Sequence, residues 1–273
     1  MDTVVVSGSF DNIQSKDVRF LEEASKLGPV QVLLWSDEAV NVMTGVEPRF
    51  PLKERRYILK ALRYVHKVVQ LDAVSIRDEL LHVEDMRPRM WVVDEDSHTL
   101  QKQEFCTSKS IIYSIIENSG LNEFPSAQFG AVSTSPNQKV VVTGCFDWFH
   151  SGHVRFFEET SVLGDLYVIV GHDENVRLLK GEGHPLFPED ERCYIVGSIG
   201  FVKQAVVSSG RGWMDAEPQI DLIKPDIYVV NEDGDQPEKR EFSRRNGLKY
   251  MVLKRTPARG LRRRESTVLR GGR

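Results

Sequence analysis

The 273-residue chain carries one pattern twice, and this internal repeat restricts the folds that it can adopt. When the sequence is displaced by 136 residues, SGSFD at residues 7–11 lies over TGCFD at residues 143–147. After one residue of slippage, WVVDED at 91–96 lies over YVVNED at 228–233. Similarity at a nearly constant displacement over both halves indicates a duplicated structural unit. The sequence therefore predicts two copies of one fold in tandem.

Short apolar runs alternate with helix-like segments along the second copy. Strands are predicted over residues 139–143, 166–171, 202–208, 227–230 and 250–254, and helices over 153–163, 189–199, 215–223 and 238–246. Strands that are joined through helices form a parallel sheet with helices on both faces. The predicted fold class is α/β in both copies, with ligands at the carboxyl ends of the strands.

The ten residues 144–153, GCFDWFHSGH, stand where the first strand of the second copy gives way to a helix. The first turn of a helix offers free backbone N–H groups and the positive end of the helix dipole, so it favours a phosphate. Gly152 has no Cβ and lets a phosphate chain approach the backbone closely. His150 and His153 can donate hydrogen bonds to phosphate oxygens and stabilise charge in a transition state.

This segment resembles the H-x-G-H motif of the nucleotidyltransferase superfamily, and the longer pattern G-x-F-D-x-x-H-x-G-H resembles its cytidylyltransferase branch. The resemblance implies two tandem Rossmann-like nucleotidyltransferase units, with parallel sheets covered by helices. It also implies transfer of CMP from CTP to a phosphorylated small alcohol or sugar, with release of pyrophosphate and with Mg²⁺ bound to the triphosphate. His150, His153 and Lys180 are the expected catalytic residues.

Two alternatives stay open. One is adenylyl transfer from ATP, as in the heptose-phosphate and pantetheine-phosphate branches of the superfamily. The other is a nucleotide-binding sensor without activity. The tandem arrangement resembles that of the ethanolamine-phosphate cytidylyltransferases, but their main active site lies in the first copy, so their substrate is not transferred to this chain.

The first copy lacks the residues that phosphate chemistry requires. Gln14 stands at the position of His150, Lys16 at that of Gly152 and Asp17 at that of His153. An aspartate at the entry of the helix repels a phosphate. We therefore predict a degenerate copy at residues 1–125, a linker at 126–138 and an active domain at 139–273.

The resemblance assigns further residues of the second copy to the nucleotide. Lys180, in a predicted loop that ends at a glycine, is expected to contact the α-phosphate. The pairs Arg255-Thr256 and Ser266-Thr267 match the two ends of the triphosphate-binding motif R-T-x-G-I-S-T, with a longer basic insert between them. The other nucleotide-binding candidates are Gly144, Cys145, Phe146, Asp147, Gly152, Arg192, Asn231 and Asp233.

Three of these candidates have a structural alternative, because they recur in the degenerate copy. Asp147 recurs as Asp11, Arg192 recurs as Arg55 and Asp233 recurs as Asp96. An aspartate can form the turn itself, and an arginine can serve packing or an ion pair.

Arg63 is a candidate from the first copy. It belongs to an Arg-Tyr-Val run at 63–65 that the family places near its dimer interface, whereas the second copy has Gly-Phe-Val at 200–202. Our hypothesis is that the two copies pair as an internal pseudo-dimer in which Arg63 assists the second site. The sequence leaves a homodimer of whole chains open.

Composition argues against several other classes of protein. The net charge of −4 does not favour a nucleic-acid partner, although the C-terminus is basic. Three cysteines without a C-x-x-C spacing indicate neither a disulfide framework nor a zinc site. No apolar run is long enough to span a membrane, and the N-terminus has no secretory pattern. A cytoplasmic protein is expected, with CTP or ATP and a phosphorylated acceptor as its partners.

Overall fold

The computed structural model describes residues 3–72, 75–125 and 135–271, which fall into two compact units. The first unit spans Met1–Glu123 and the second spans Phe124–Arg273. Of the linker predicted at 126–138, residues 126–134 lie outside the described residues. No helix in the described part of the chain is long and apolar enough to cross a membrane.

Strands and helices alternate in the first unit. Its strands are β1 (Val4–Gly8), β2 (Val30–Trp35), β3 (Val65–Leu71), β4 (Met90–Asp94) and β5 (Ile112–Ile116). Its helices are α1 (Ser15–Ser25), α2 (Asp37–Thr44), α3 (Leu52–Ala61), α4 (Ile76–Met86) and α5 (Leu100–Ser108).

The second unit repeats this order and adds a short helix at its end. Its strands are β6 (Lys139–Gly144), β7 (Asp165–Val170), β8 (Gln204–Val207), β9 (Ile227–Asn231) and β10 (Lys249–Leu253). Its helices are α6 (Ser151–Ser161), α7 (Asp173–Lys180), α8 (Glu189–Gly197), α9 (Glu217–Ile223), α10 (Pro237–Arg245) and α11 (Ser266–Gly271).

The two sheets have the same topology. The strand order is β3-β2-β1-β4-β5 in the first unit and β10-β9-β6-β7-β8 in the second, and the described strand pairs are all parallel. In each unit the first strand lies at the centre of the sheet. The second and third strands lie on one side of it, and the fourth and fifth strands lie on the other. The α/β fold class with two tandem Rossmann-like units is therefore confirmed.

The central strands are apolar because helices cover both of their faces. Val140, Val141 and Val142 of β6 are fully buried, as are Val5 and Val6 of β1. Parallel sheets that are covered on both sides have such continuous apolar runs. Each buried valine contributes about 1.5–3 kcal/mol relative to an exposed one, so these runs fix the strand that carries the site.

One sequence-based prediction was wrong. The loop expected around Lys180 is the helix α7, which ends at Lys180 itself. The His172 side chain caps this helix by accepting a hydrogen bond from the N–H of Asn175, and Gly181 ends it with a positive φ of 86°. Because histidine is an uncommon cap, the beginning of the helix was not evident from sequence patterns.

Candidate active site

A cavity of about 500 Å³ opens in the second unit at the carboxyl ends of β6, β7 and β9. This is the edge at which parallel sheets bind ligands, near the point where connections diverge from the central strand. Of the residues predicted from the sequence, the cavity brings together Gly144, Cys145, Phe146, Asp147, His150, Gly152, His153, Lys180, Asn231, Asp233, Arg255 and Ser266.

His150 caps the helix whose first turn faces the cavity. Its backbone is extended, and its Nδ1 accepts a hydrogen bond from the N–H of Gly152 at 3.1 Å. The neutral ring must then carry its proton on Nε2. Nε2 is buried and has no hydrogen-bond partner among the described residues. This N–H is thus a donor without a partner on a residue that lines the cavity.

His153 forms a stacked pair with His150. The ring centroids are 4.0 Å apart and the planes are inclined by 18°. Burial lowers the pKa of His150 to about 3, and the charges of Arg255 and Arg264 act in the same direction. Burial also holds the pKa of His153 well below its ordinary value, with repulsion from His150 and Arg255. Both rings are therefore neutral at pH 7, mainly because they are buried, and a bound anion would raise both pKa values.

The ring of His150 leaves no room for a side chain at position 152, so a glycine is needed there. A Cβ built on Gly152 would lie 2.9 Å from Cε1 and 3.0 Å from Nδ1 of His150. The His150 ring is buried, and it cannot move aside without breaking the hydrogen bond from the N–H of Gly152 that caps the helix. The glycine is predicted from the sequence to let a phosphate approach closely, and the contact with His150 is a further requirement that only the structure shows.

We expect Gly152→Ala to lower turnover by about 10²-fold, because a displacement of the His150 ring by about 1 Å disturbs the reacting geometry. Alanine is itself a good helix former, so the melting temperature should change by a few degrees at most. Steady-state kinetics and thermal melting check both parts. Lys16→Ala, at the aligned position of the first unit, is the matched control and should alter neither; wild-type turnover in Gly152→Ala would refute the requirement.

The turn after β6 is a feature of the fold in both units. Phe146 has a left-handed φ of 54°, and Phe10 has a φ of 43° at the aligned position. A Cβ at Gly144 would lie 2.8 Å from the ring of Phe146. The glycine and the phenylalanine therefore shape the turn, and they reach the cavity as part of its wall.

Asp147 ties this turn to the segment before α8. Its Oδ1 accepts hydrogen bonds from the N–H groups of Leu186 and Phe187 at 2.6 and 3.1 Å. Asp11 accepts the equivalent pair of backbone bonds in the first unit. Asp147 therefore has a structural role in the turn, and its contact with the nucleotide stays a prediction.

Arg192 was predicted to bind the nucleotide, but the structure commits it to the protein interior. It is 1% exposed, and its Nη2 forms an ion pair with Asp173 at 2.6 Å. Its guanidinium also donates to three backbone carbonyls around the turn, and Arg55 repeats this arrangement in the first unit. The three carbonyls that accept from Arg192 belong to Cys145, Gly171 and Phe187.

Two of the cationic side chains that line the cavity differ in their bonding. Arg255 donates to Asp233 Oδ2 at 2.9 Å and to the carbonyl of Arg264 at 2.9 Å. Lys180, the last residue of α7, is exposed and has no hydrogen bond or ion pair with the described residues. A triphosphate could therefore recruit Lys180 directly, whereas Arg255 would exchange part of its contact with Asp233.

The remaining candidates lie outside or at the edge of the cavity. Ser266 begins α11 and its Oγ lies 3.3 Å from the carbonyl of Trp148, while Thr256 lines a small adjoining pocket with Arg255. The side chain of Thr267 lies outside what the structure describes. Arg63 is exposed in the turn before β3 of the first unit.

Several residues of the cavity wall were not predicted from the sequence. Among those with an aromatic or charged side chain are Trp213 and Asp215, which precede α9, and Lys239 of α10. Trp213 is half-exposed and offers an aromatic surface. Asp215 and Lys239 were visible only as recurrent positions of the repeat, and nothing in their local sequence indicated that they face a ligand site.

The chain is similar in sequence to a described family and to several known proteins. The model of a family described as cytidylyltransferase-like matches residues 5–134 and 141–262. The FAD synthases of Ferroglobus placidus and Archaeoglobus profundus are 38% and 37% identical over 120 and 119 residues, which are 43% and 42% of this chain and 75% and 73% of those proteins. The bifunctional protein HldE of Campylobacter concisus is 36% identical over 107 residues, which are 37% of this chain but 21% of that protein.

Proposed function

Because the chain belongs to the cytidylyltransferase-like family and is a nucleotidyltransferase, we propose that its second unit transfers AMP from ATP to a phosphorylated small-molecule acceptor and releases pyrophosphate. The observation that carries the proposal is the pair of neutral histidines, with an unpartnered N–H on His150, in a cavity that also holds Lys180 and Arg255.

The proposed reaction is an attack by a phosphate oxygen of the acceptor on the α-phosphorus of the nucleotide. The bond from this phosphorus to the β-phosphate oxygen breaks, and pyrophosphate leaves with that electron pair. Such a transfer depends on in-line positioning and on stabilisation of charge on the phosphate oxygens. His150 and His153 donate to these oxygens at the entry of α6, while Lys180 and Arg255 supply positive charge from the other walls.

ATP is the favoured nucleotide because the FAD synthases are similar to this chain over three quarters of their own length. FAD contains AMP and not CMP. CTP is the second candidate, because residues 144–153 have the spelling of the cytidylyltransferase branch. The acceptor is in either case a phosphate ester.

Mg²⁺ is proposed to accompany the triphosphate. The described residues contain no group of three or more His, Cys, Asp or Glu side chains that could hold a metal ion. Mg²⁺ is commonly held by substrate phosphates and water with one or two carboxylates. Asp233, at the cavity wall, fits that limited part, and the ion would neutralise charge on the β- and γ-phosphates.

The first unit is proposed to be catalytically inactive. Asp17 occupies the place of His153, and its carboxylate accepts a hydrogen bond from the N–H of Gln14 at 2.8 Å. Burial raises the pKa of Asp17 to about 6, so it is largely ionised at pH 7 and repels a phosphate. Lys16, at the aligned position of Gly152, is held by Asp96 at 2.8 Å.

Pyrophosphate release from the full chain with Mg²⁺ tests the proposal. We expect release from ATP with at least one acceptor among FMN, glycerol 3-phosphate and glucose 1-phosphate, and at least tenfold slower release from CTP. The reverse preference would return the enzyme to the cytidylyl branch. Binding of both nucleotides without release in the presence of these acceptors would contradict the proposal and favour a sensor.

A further inference from the structure

Lys239 is a buried lysine in the wall of the active-site cavity. It is 7% exposed, and its Nζ has one hydrogen-bond partner in the described chain, the Thr143 hydroxyl at 3.2 Å. An ammonium group has three hydrogens to donate. Burial lowers the pKa of Lys239, which shows how poorly its charge is solvated. A buried cation with a single neutral partner costs stability, and a ligand can supply what is missing.

The first unit neutralises the aligned lysine. Lys102 is 6% exposed, and its Nζ lies 3.4 Å from the fully buried carboxylate of Glu79. At the position of Glu79 the second unit has the buried residue Ala216. Lys102 therefore forms an ion pair in the unit that lacks the two histidines, whereas Lys239 forms none with the described residues of the unit that carries them. A purely structural lysine would be expected to need the same partner in both units.

Asp215 completes the polar part of this wall. It lines the cavity, and its Oδ2 accepts a hydrogen bond from the Ser208 hydroxyl at 2.6 Å. Its negative charge favours the protonated form of Lys239, although no ion pair joins the two among the described contacts. The wall thus offers a cationic donor and an anionic acceptor to one ligand, and their charges balance.

We propose that Lys239 and Asp215 form an acceptor subsite for an uncharged group that carries hydroxyl, carbonyl or imide functions. A charged group would be attracted by one of these two side chains and repelled by the other, and it would leave one wall charge unpaired. An uncharged group that both donates and accepts hydrogen bonds can pair with Lys239 and Asp215 together. The acceptor of the proposed transfer, on which this inference rests, is then a phosphate ester of a polyol, a sugar or a neutral heterocycle. Esters of amino alcohols, which carry an ammonium group, are expected to bind more weakly.

Calorimetric binding to the full chain tests the subsite. The probes are glycerol 3-phosphate, glucose 1-phosphate, FMN, phosphocholine and phosphoethanolamine, each with the non-hydrolysable ATP analogue bound. We expect at least one of the first three to bind at least tenfold more tightly than either amino-alcohol ester. Lys239→Met should weaken that binding at least tenfold and leave the affinity for the ATP analogue within twofold.

Thermal melting separates a ligand-binding lysine from a structural one. Lys239→Met removes a poorly solvated charge, so the melting temperature should stay unchanged or rise. Lys102→Met is the matched control; it leaves Glu79 buried without a counter-ion, so the melting temperature should fall while acceptor binding persists. Ala216→Glu should restore a counter-ion to Lys239 and weaken acceptor binding as Lys239→Met does.

Tighter binding of an amino-alcohol ester, unchanged acceptor affinity in Lys239→Met, equal losses of stability in the two methionine variants, or no binding of any probe would overturn the subsite. The transferase proposal is judged separately by pyrophosphate release. Acceptor binding with the expected pattern but without pyrophosphate release would reject the transferase proposal and keep the subsite.

Discussion

His153→Ala is expected to lower kcat by about 10²–10³-fold, the loss that follows removal of one preorganised donor to developing negative charge. The ring of His153 lies against that of His150 in the cavity wall, and its Nδ1 is buried without a hydrogen-bond partner in the described chain. No hydrogen bond of the folded protein is lost with it, so the effect should fall on turnover and not on nucleotide affinity. Pyrophosphate release and calorimetric binding of the nucleotide measure the two quantities.

The first unit supplies the matched control for this variant. Asp17 occupies the aligned position and caps α1 through Gln14. Asp17→Ala should lower the stability of the first unit by about 1 kcal/mol, the usual contribution of such a cap, and should leave kcat unchanged. If His153→Ala retained more than a tenth of wild-type kcat, or if Asp17→Ala abolished turnover, the assignment of the active unit would be wrong.

Arg192→Leu is expected to lower the free energy of unfolding of the second unit by about 3–5 kcal/mol. The change removes the ion pair with Asp173 and leaves three backbone carbonyls without their donor, and the loss of one partner from a buried pair costs about that much. Urea unfolding measures the loss of stability, and hydrogen exchange of the backbone amides shows in which of the two units it occurs.

Arg55→Leu is the matched variant of the first unit, where the same four kinds of contact occur. It should destabilise the first unit by a similar amount. A nucleotide ligand would behave differently, since Arg192→Leu would then raise the KM for ATP at nearly constant stability. That second outcome would restore the role first expected from the sequence.

Local sequence patterns were sufficient for the architecture. The apolar runs, their alternation with helix-like segments and the displacement between the copies predicted two α/β units, and both sheets have the expected parallel strands. Strand and helix periods are properties of neighbouring residues, so they can be recognised without knowledge of the fold. The glycine-histidine motif was equally recognisable, because its spacing places all of its groups at one turn between a strand and a helix.

Roles that depend on distant partners were not recognisable in the same way. Arg192 and Lys239 are both basic residues that recur in the first copy. The structure shows that Arg192 is fully bonded inside the protein, whereas Lys239 has one partner and faces the cavity. The difference depends on Asp173 for the first residue and on Ala216 for the second, and neither is a sequence neighbour.

The sequence by itself determined the duplication, the α/β class, the family and the unit in which the phosphate-binding motif is intact. These follow from short-range patterns of hydrophobicity, glycine and histidine. Only the tertiary structure decided which titratable side chains are satisfied within the protein and which are available to a ligand. Availability is set by burial and by partners brought together from separate elements. Gly152 makes room for the His150 ring, and Ala216 leaves Lys239 without the ion pair that Lys102 forms with Glu79.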